Sequence, residues 1–286
     1  MDADRGQDQP GTKVMAEISL VEFTERALDR MSNRELDAAI QDSKAYRQSS
    51  RDAGSAFPRD ASGNLRHPAM ARRLPIPDER RRPISARQKS ARCKLKNDVQ
   101  DRLSGAQYRE LARLIESDEA WTALNNELSD CIGNMQELSD TSRRRVRRID
   151  RTIQSYEESC GREHLVYVRV QLPAYVPAER ALQYARRHFG AGDTMTFDRY
   201  TLATHQMHEH ERFPRESGAV ILLELKTRRG MYLGGSDGRD DTAHLLPRAL
   251  NTRVVTAPQE AGFRRPDGTA GTEIVVQVMD DRTREG

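Results

Sequence analysis

The chain has 286 residues, of which 36% are hydrophobic, 32% charged and 5% aromatic, with a formal net charge of +3. That length supports one modest core alongside polar segments that no core can absorb, and the aromatic content excludes a large aromatic interior. The longest apolar run, Ala219-Val220-Ile221-Leu222-Leu223, is far too short to cross a bilayer and reads as a buried strand, so no membrane association is expected.

The opening residues, MDADRGQDQPGTK, contain no apolar signal region, and Cys93, Cys131 and Cys160 are odd in number, far apart and in no CxxC pair. Both features predict a reducing, cytoplasmic setting. Residues 1–48 read as a short helical segment, because Ser19 with Glu22 and Ser32 with Glu35 each give the Ser-x-x-Glu spacing that satisfies free amides at a helix start. Leu20, Phe23, Ala27 and Met31 line one face of the first helix, and Leu36, Ala39 and Ile40 one face of the second.

Residues 49–97 lose this periodicity. They are rich in Ser, Gly, Pro and Arg, as in RRLPIPDERRRPISARQKSARCK, and their few apolar side chains predict a flexible basic linker. Within 59–96, Arg72-Arg73, Arg80-Arg81-Arg82, Arg87, Lys89, Arg92, Lys94 and Lys96 face only Asp60, Asp78 and Glu79, a density suited to contact with a polyanion, nucleic acid first. A merely solvated linker fits the same residues about equally well.

Helical periodicity returns in 98–286. Ser104 and Gln107 form a further capping box ahead of a stripe of Tyr108, Leu111, Leu114 and Ile115. A second helix after Ser117 carries Trp121, Leu124, Leu128 and Ile132 on one side; a third after Asp140 carries Val146, Ile149, Ile153 and Tyr156, with Arg143-Arg144-Arg145 and Arg147-Arg148 on its other faces. Beyond Gly161 the period falls to two. Strands are predicted at 164–172, 200–204, 219–226, 231–233, 251–256 and 272–279, with a helix between Pro177 and Gly190. Helices followed by strands make this an α+β domain.

Several stretches, taken in order, resemble the ADP-ribosyltransferase exoenzyme family, the NAD-dependent toxins and phage enzymes that modify proteins. SDEAWTALNNELSD is similar to the family's helical segment, RRRVRRIDRTIQSYEESCGREHLVYVRVQLP to the arginine-rich helix leading into its first strand, and GDTMTFDRYTLATHQ to its Ser-Thr-Ser strand. RRGMYLGG and DTAHLLPRALNTRVV resemble its lysine-glycine turn and its Glu-x-Glu strand. The resemblance implies N-terminal helices followed by a split β-sheet, with NAD as the cofactor of any active member.

The resemblance also implies where a site would lie. The arginine that grips the NAD phosphates aligns with Val168, while Arg169 stands one place later, and a one-residue slip in a strand turns a side chain to the opposite face. Of the Ser-Thr-Ser hydroxyls, Leu202-Ala203-Thr204 keeps Thr204, with Thr201 nearby. The catalytic glutamate aligns with Ala243, whose methyl cannot stabilise an oxocarbenium-like sugar, and the glutamate two residues earlier aligns with Asp241. The altered positions imply a non-catalytic binding or assembly module, for which phage head proteins carrying related domains are a precedent. The alternative is an active mono-ADP-ribosyltransferase in which Asp241, Glu224 or Arg169 has been recruited.

Two further features stand apart. His205, His208 and His210 in THQMHEH, with Glu209 and Glu211, have zinc-binding chemistry, but their spacing fits no metal motif and an exposed polar loop is the expectation, with His164 and His188 as surface or satisfied structural residues. Gly234-Gly235-Ser236-Asp237-Gly238 follows a short strand without opening a helix, so it reads as a connector and not a phosphate loop.

Overall fold

A computed structural model describes residues 81–280, apart from 132, 213–218 and 236–240, together with the two-residue strand β1 (Ile18–Ser19). The helices expected within 1–48 and the linker stretch 49–80 otherwise lie outside the described residues.

Four helices come first: α1 (Ala86–Gln100), α2 (Gly105–Glu116), α3 (Asp118–Asp130) and α4 (Asp140–Cys160). Ser85, Ser104, Ser117 and Ser139 each accept a hydrogen bond from the amide three residues on, and Gln88 and Gln107 return the bond to complete capping boxes. Gly161, at φ 56, ends α4 in the left-handed conformation that glycine adopts without strain.

Helix α1 corrects the linker expectation over 86–97. It contributes few apolar side chains, chiefly Cys93 and Val99, and instead lays basic side chains against the domain: Lys89 is buried and Lys96 Nζ donates to the carbonyls of Leu233 and Gly234 at 3.4 and 3.0 Å. Long cationic side chains cover apolar surface with their stems, a contribution that apolar periodicity does not register. Tyr108 also departs from expectation: it is 51% exposed, while Leu111 and Leu114 carry the buried face of α2.

The strands follow: β2 (His164–Gln171), β3 (Thr194–Phe197), β4 (Thr201–Thr204), β5 (Val220–Thr227), β6 (Met231–Tyr232), β7 (Ala243–Leu246), β8 (Leu250–Val254), β9 (Gln259–Arg264) and β10 (Ala270–Asp280). A short helix α5 (Ala181–His188) separates β2 from β3. The sheet runs β3-β8-β10-β5-β2-β4-β7-β6, with β1 pairing β2 and β9 pairing β10. Its parallel pairings are β10 with β5 and β1 with β2; the remaining pairs are antiparallel. Strands β3 and β9 lie where no strand was expected, because TMTF alternates over only four residues and QEAGFR sets only Ala261 and Phe263 in alternation.

Alternation along β2 and β5 separates two cores. Val166, Val168, Val170, Ile221, Leu223 and Leu225 join Ala185 and Phe189 around α5, whereas Tyr167 and Leu222 join Phe263, Val275 and Met207 on the other face. A third core holds α1–α4 together and reaches the sheet through Tyr200, Met231, Tyr232 and Leu245.

The helical layer and the sheet are also joined by polar bonds. The Asn125 side chain pairs with the backbone of Tyr200 in both directions, at 3.1 and 3.2 Å, and the Tyr200 hydroxyl donates to Asp150 Oδ1 at 2.7 Å. Arg248 Nη2 holds the other Asp150 oxygen at 2.7 Å. Glu157 on α4 accepts from Gly230 N at 2.7 Å and from Arg229 Nε at 2.9 Å, which fixes the turn between β5 and β6.

Two substitutions test this packing by chemical denaturation. Leu124→Ala, at a side chain with no exposed surface, is expected to cost about 2 to 5 kcal/mol. Gly230→Ala is expected to cost at least about 2 kcal/mol, because Gly230 has φ +101 and an added Cβ would lie 2.4 Å from His244 Nε2 and 2.5 Å from the Leu245 carbonyl. A loss below about 1 kcal/mol in either variant would contradict the packing described.

Candidate functional site

Strand β2 is paired along all eight residues with β5 on one side, but on the other side it meets β4 at a single pair, Tyr167 with Thr204. From there the strands diverge: β4 continues into β7 and β6, and β2 continues to Val170 and Gln171, where β1 pairs with it. The sheet is therefore split at Tyr167–Thr204, and the residues singled out in the sequence lie around that split.

Arg169 sits on β2 two residues beyond Tyr167, and strand alternation places it on the Tyr167 face; it is 5% exposed. Val168, one residue earlier, points into the apolar core around α5. Thr204 is buried, and its hydroxyl donates to the Gln206 carbonyl at 3.0 Å. Thr201 is buried with its hydroxyl 3.4 Å from the Arg199 carbonyl. Leu202 packs against the helical core and Ala203 lies within the α5 core. Ala243 is the register partner of Thr204, and the exposed Asp241 turns its carboxylate back to accept from the Ala243 amide at 3.2 Å.

Two buried carboxylates also lie at the split. Glu224, fully buried on β5 and paired in register with Tyr167, accepts from Arg81 Nε at 2.8 Å, Arg81 Nη2 at 3.1 Å, the Tyr167 hydroxyl at 3.2 Å and Gln277 Nε2 at 2.8 Å. Arg81 is itself 5% exposed, and three residues later the Ile84 amide donates to Gln206 Oε1 at 2.9 Å. The segment preceding α1 thus crosses the split. A charge in the apolar run VILLELKT is the sequence signal for a buried, partnered carboxylate, but its cation lies 143 positions away.

Glu209 is the second carboxylate, 2% exposed. Its Oε2 accepts from the Thr242 amide at 3.1 Å and the Thr242 hydroxyl at 2.7 Å, and its Oε1 accepts from Gln206 Nε2. It therefore clamps the residue between Asp241 and Ala243. Nothing in the local sequence pattern assigns that role to Glu209.

The histidines differ from the expected exposed loop. His205, His208 and His210 are all buried, the last two within a 3-10 turn (Met207–Arg212), because this segment packs between β2, β4 and β9. The three do not converge on one point. His205 instead meets His164 at the start of β2 and His244 on β7, with ring centroids 4.9 to 5.4 Å apart. His210 pairs with Glu273 at 2.9 Å, and the neighbouring Glu211 is held by Arg265 at 2.6 and 2.8 Å.

The histidine trio is kept neutral. Burial, followed by the Arg92 charge, pushes His164 down to about 4. Burial and the neighbouring His164 push His244 down to about 3, and burial with His244 pushes His205 down from its ordinary value.

No family model and no curated protein matches the sequence. Among solved structures, the enzymatic component C2-I of the C2-toxin from Clostridium botulinum at pH 3.0 is similar at TM-score 0.52 and 14% identity, covering 69% of this chain and 48% of that one. The same component at pH 6.1 gives TM-score 0.50 and 13% identity, covering 66% and 47%. An ADP-ribosyltransferase from Clostridium botulinum in a triclinic form gives 0.48 and 12%, covering 69% and 96%. The chain spans about half the length of the C2-I structures it matches. Helices followed by a mixed sheet split beside its central strand give this chain an ADP-ribosyltransferase-like fold.

Proposed function

We propose that the chain is a non-catalytic binding or assembly module built on this fold. The observation that carries the proposal is the state of the carboxylates at the split. Glu224 is surrounded by four donors and Glu209 by three, and Asp241 is folded back on the Ala243 amide. A transferase needs a carboxylate turned toward the developing positive charge on the sugar, and a carboxylate saturated with protein donors gives little of that stabilisation.

NAD does not fit the residues present in the way the fold family would hold it. Val168 is committed to an apolar core, Leu202 and Ala203 are packed side chains, and the hydroxyls of Thr201 and Thr204 point to backbone carbonyls.

The second reading is an active transferase that recruits Glu224, and the Arg81 pair is the contact that stands in its way. Arg81 belongs to the segment crossing the split, so an active enzyme that recruits Glu224 would need this arginine displaced. The partner in the leading reading is a protein, with a polyanion as a further candidate for the basic residues 59–96. Within that stretch Arg81, Lys89 and Lys96 are engaged with or buried against the domain, so polyanion contact is proposed for the remaining cations.

Two experiments test these readings. Incubation of the full chain with labelled NAD and cell lysate is expected to give neither labelled protein nor free nicotinamide, and Ala243→Glu is expected to restore neither. Activity in the unmodified chain that Asp241→Ala abolishes would overturn the module. NAD cleavage that arises in Arg81→Gln and vanishes on adding Glu224→Gln would establish the second reading. For the polyanion, binding to a DNA duplex that engages six phosphates should weaken roughly a thousandfold between about 50 and about 200 mM salt. Unchanged binding after deletion of 59–80 would remove that partner.

A further inference from the structure

The three buried histidines at the split present an arrangement of nitrogens that their own hydrogen bonds leave incomplete. His244 Nε2 lies 3.0 Å from the Arg229 carbonyl, so it must carry the proton, which leaves a lone pair on Nδ1. That Nδ1 faces His205 Nε2 at 3.2 Å, so the His205 tautomer decides whether a proton or a ligand lies between the two rings.

His164 completes the set. Its Nε2 is 3.5 Å from Cys160 Sγ, and its Nδ1 is buried with no hydrogen-bond partner. One nitrogen from each of the three rings falls within 4.8 Å of the others, and the residues are only 4%, 6% and 0% exposed. His164 and His244 each have one nitrogen engaged by a protein group, a thiol or a carbonyl, which leaves the other for a ligand. Metal-ligating histidines are held in this way, because the outer hydrogen bond fixes the tautomer and aims the lone pair.

We propose that His164, His205 and His244 form a binding site for a divalent transition metal of the zinc class, through Nδ1, Nε2 and Nδ1 respectively. Two nitrogens each about 2.0 to 2.1 Å from a tetrahedral ion stand roughly 3.3 Å apart, close to the His205–His244 separation. Neutral imidazoles suit zinc, copper, nickel and iron, and not the oxygen-seeking calcium or magnesium. A water molecule supplies the fourth position, since the described residues add no further protein ligand to this group. The ion would link the first residue of β2, the residue after β4 and the middle of β7. It would thereby tie the two halves of the split sheet together where their backbone pairing is reduced to one pair. Gly230 belongs to the same construction, because any larger residue there would strike the His244 ring.

The test uses the full chain without a polyhistidine tag, stripped with a chelator and dialysed against zinc. One equivalent of zinc per chain is expected by elemental analysis, together with a rise in melting temperature on zinc addition. Cobalt in its place should give the strong visible absorption of a tetrahedral nitrogen site. His164→Ala and His205→Ala should each lower the bound metal at least tenfold while Glu273→Gln, in the separate His210 cluster, leaves it unchanged. Should a histidine variant fail to fold, the stoichiometry and cobalt spectrum of the unmodified chain decide. Less than a tenth of an equivalent bound, an octahedral cobalt spectrum, or loss of the metal in Glu273→Gln alone would overturn the proposal.

Discussion

Strand β2 has two edges, and only one is filled along its length. Every residue from His164 to Gln171 has a partner on β5, whereas the opposite edge is shared between a single residue of β4 and the two-residue β1. A strand edge with unpaired amides and carbonyls must be satisfied by something, and here side chains and a crossing segment gather around it. The split positions Arg169, Thr204 and Glu224 near one another. It also explains why the segment before α1, through Arg81 and Ile84, lies against the sheet.

The Arg81–Glu224 pair shows how tightly this region is specified. A fully buried carboxylate is costly unless its oxygens are all satisfied, and four donor groups from three separate parts of the chain supply that here. Removing one member leaves an uncompensated buried charge, so the segment around Arg81 is part of the domain and not an appendage to it. The folded unit therefore includes Arg81.

Much of the architecture was legible in the chain because it obeys local rules. The serine caps of α2, α3 and α4, the left-handed Gly161 and the change of period after it all follow from backbone and side-chain chemistry within a few residues. Helix α1 was missed for a physical reason: its docking relies on Lys89 and Lys96, which read as solvent-exposed charges although Ser85 and Gln88 repeat the capping box found at Ser104 and Gln107. The candidate site was legible only in part. Motif order singles out Arg169, Thr204 and Asp241, but Glu224 meets a cation 143 residues away and His205 meets a ring 39 residues away, distances at which no spacing rule operates. The THQMHEH segment was misjudged because polarity alone cannot distinguish an exposed loop from a buried cluster with distant partners.

The two-way bond between the Asn125 side chain and the Tyr200 backbone makes a carboxamide from a helix act as though it were one more peptide unit beside β4. A peptide group in a sheet normally exchanges its amide hydrogen when neighbouring strands part. The Tyr200 amide is bonded to α3 instead, so its exchange reports separation of the helical layer from the sheet. Fraying of β4 against β7 alone leaves that amide protected, so its exchange couples the helical layer to one half of the split sheet.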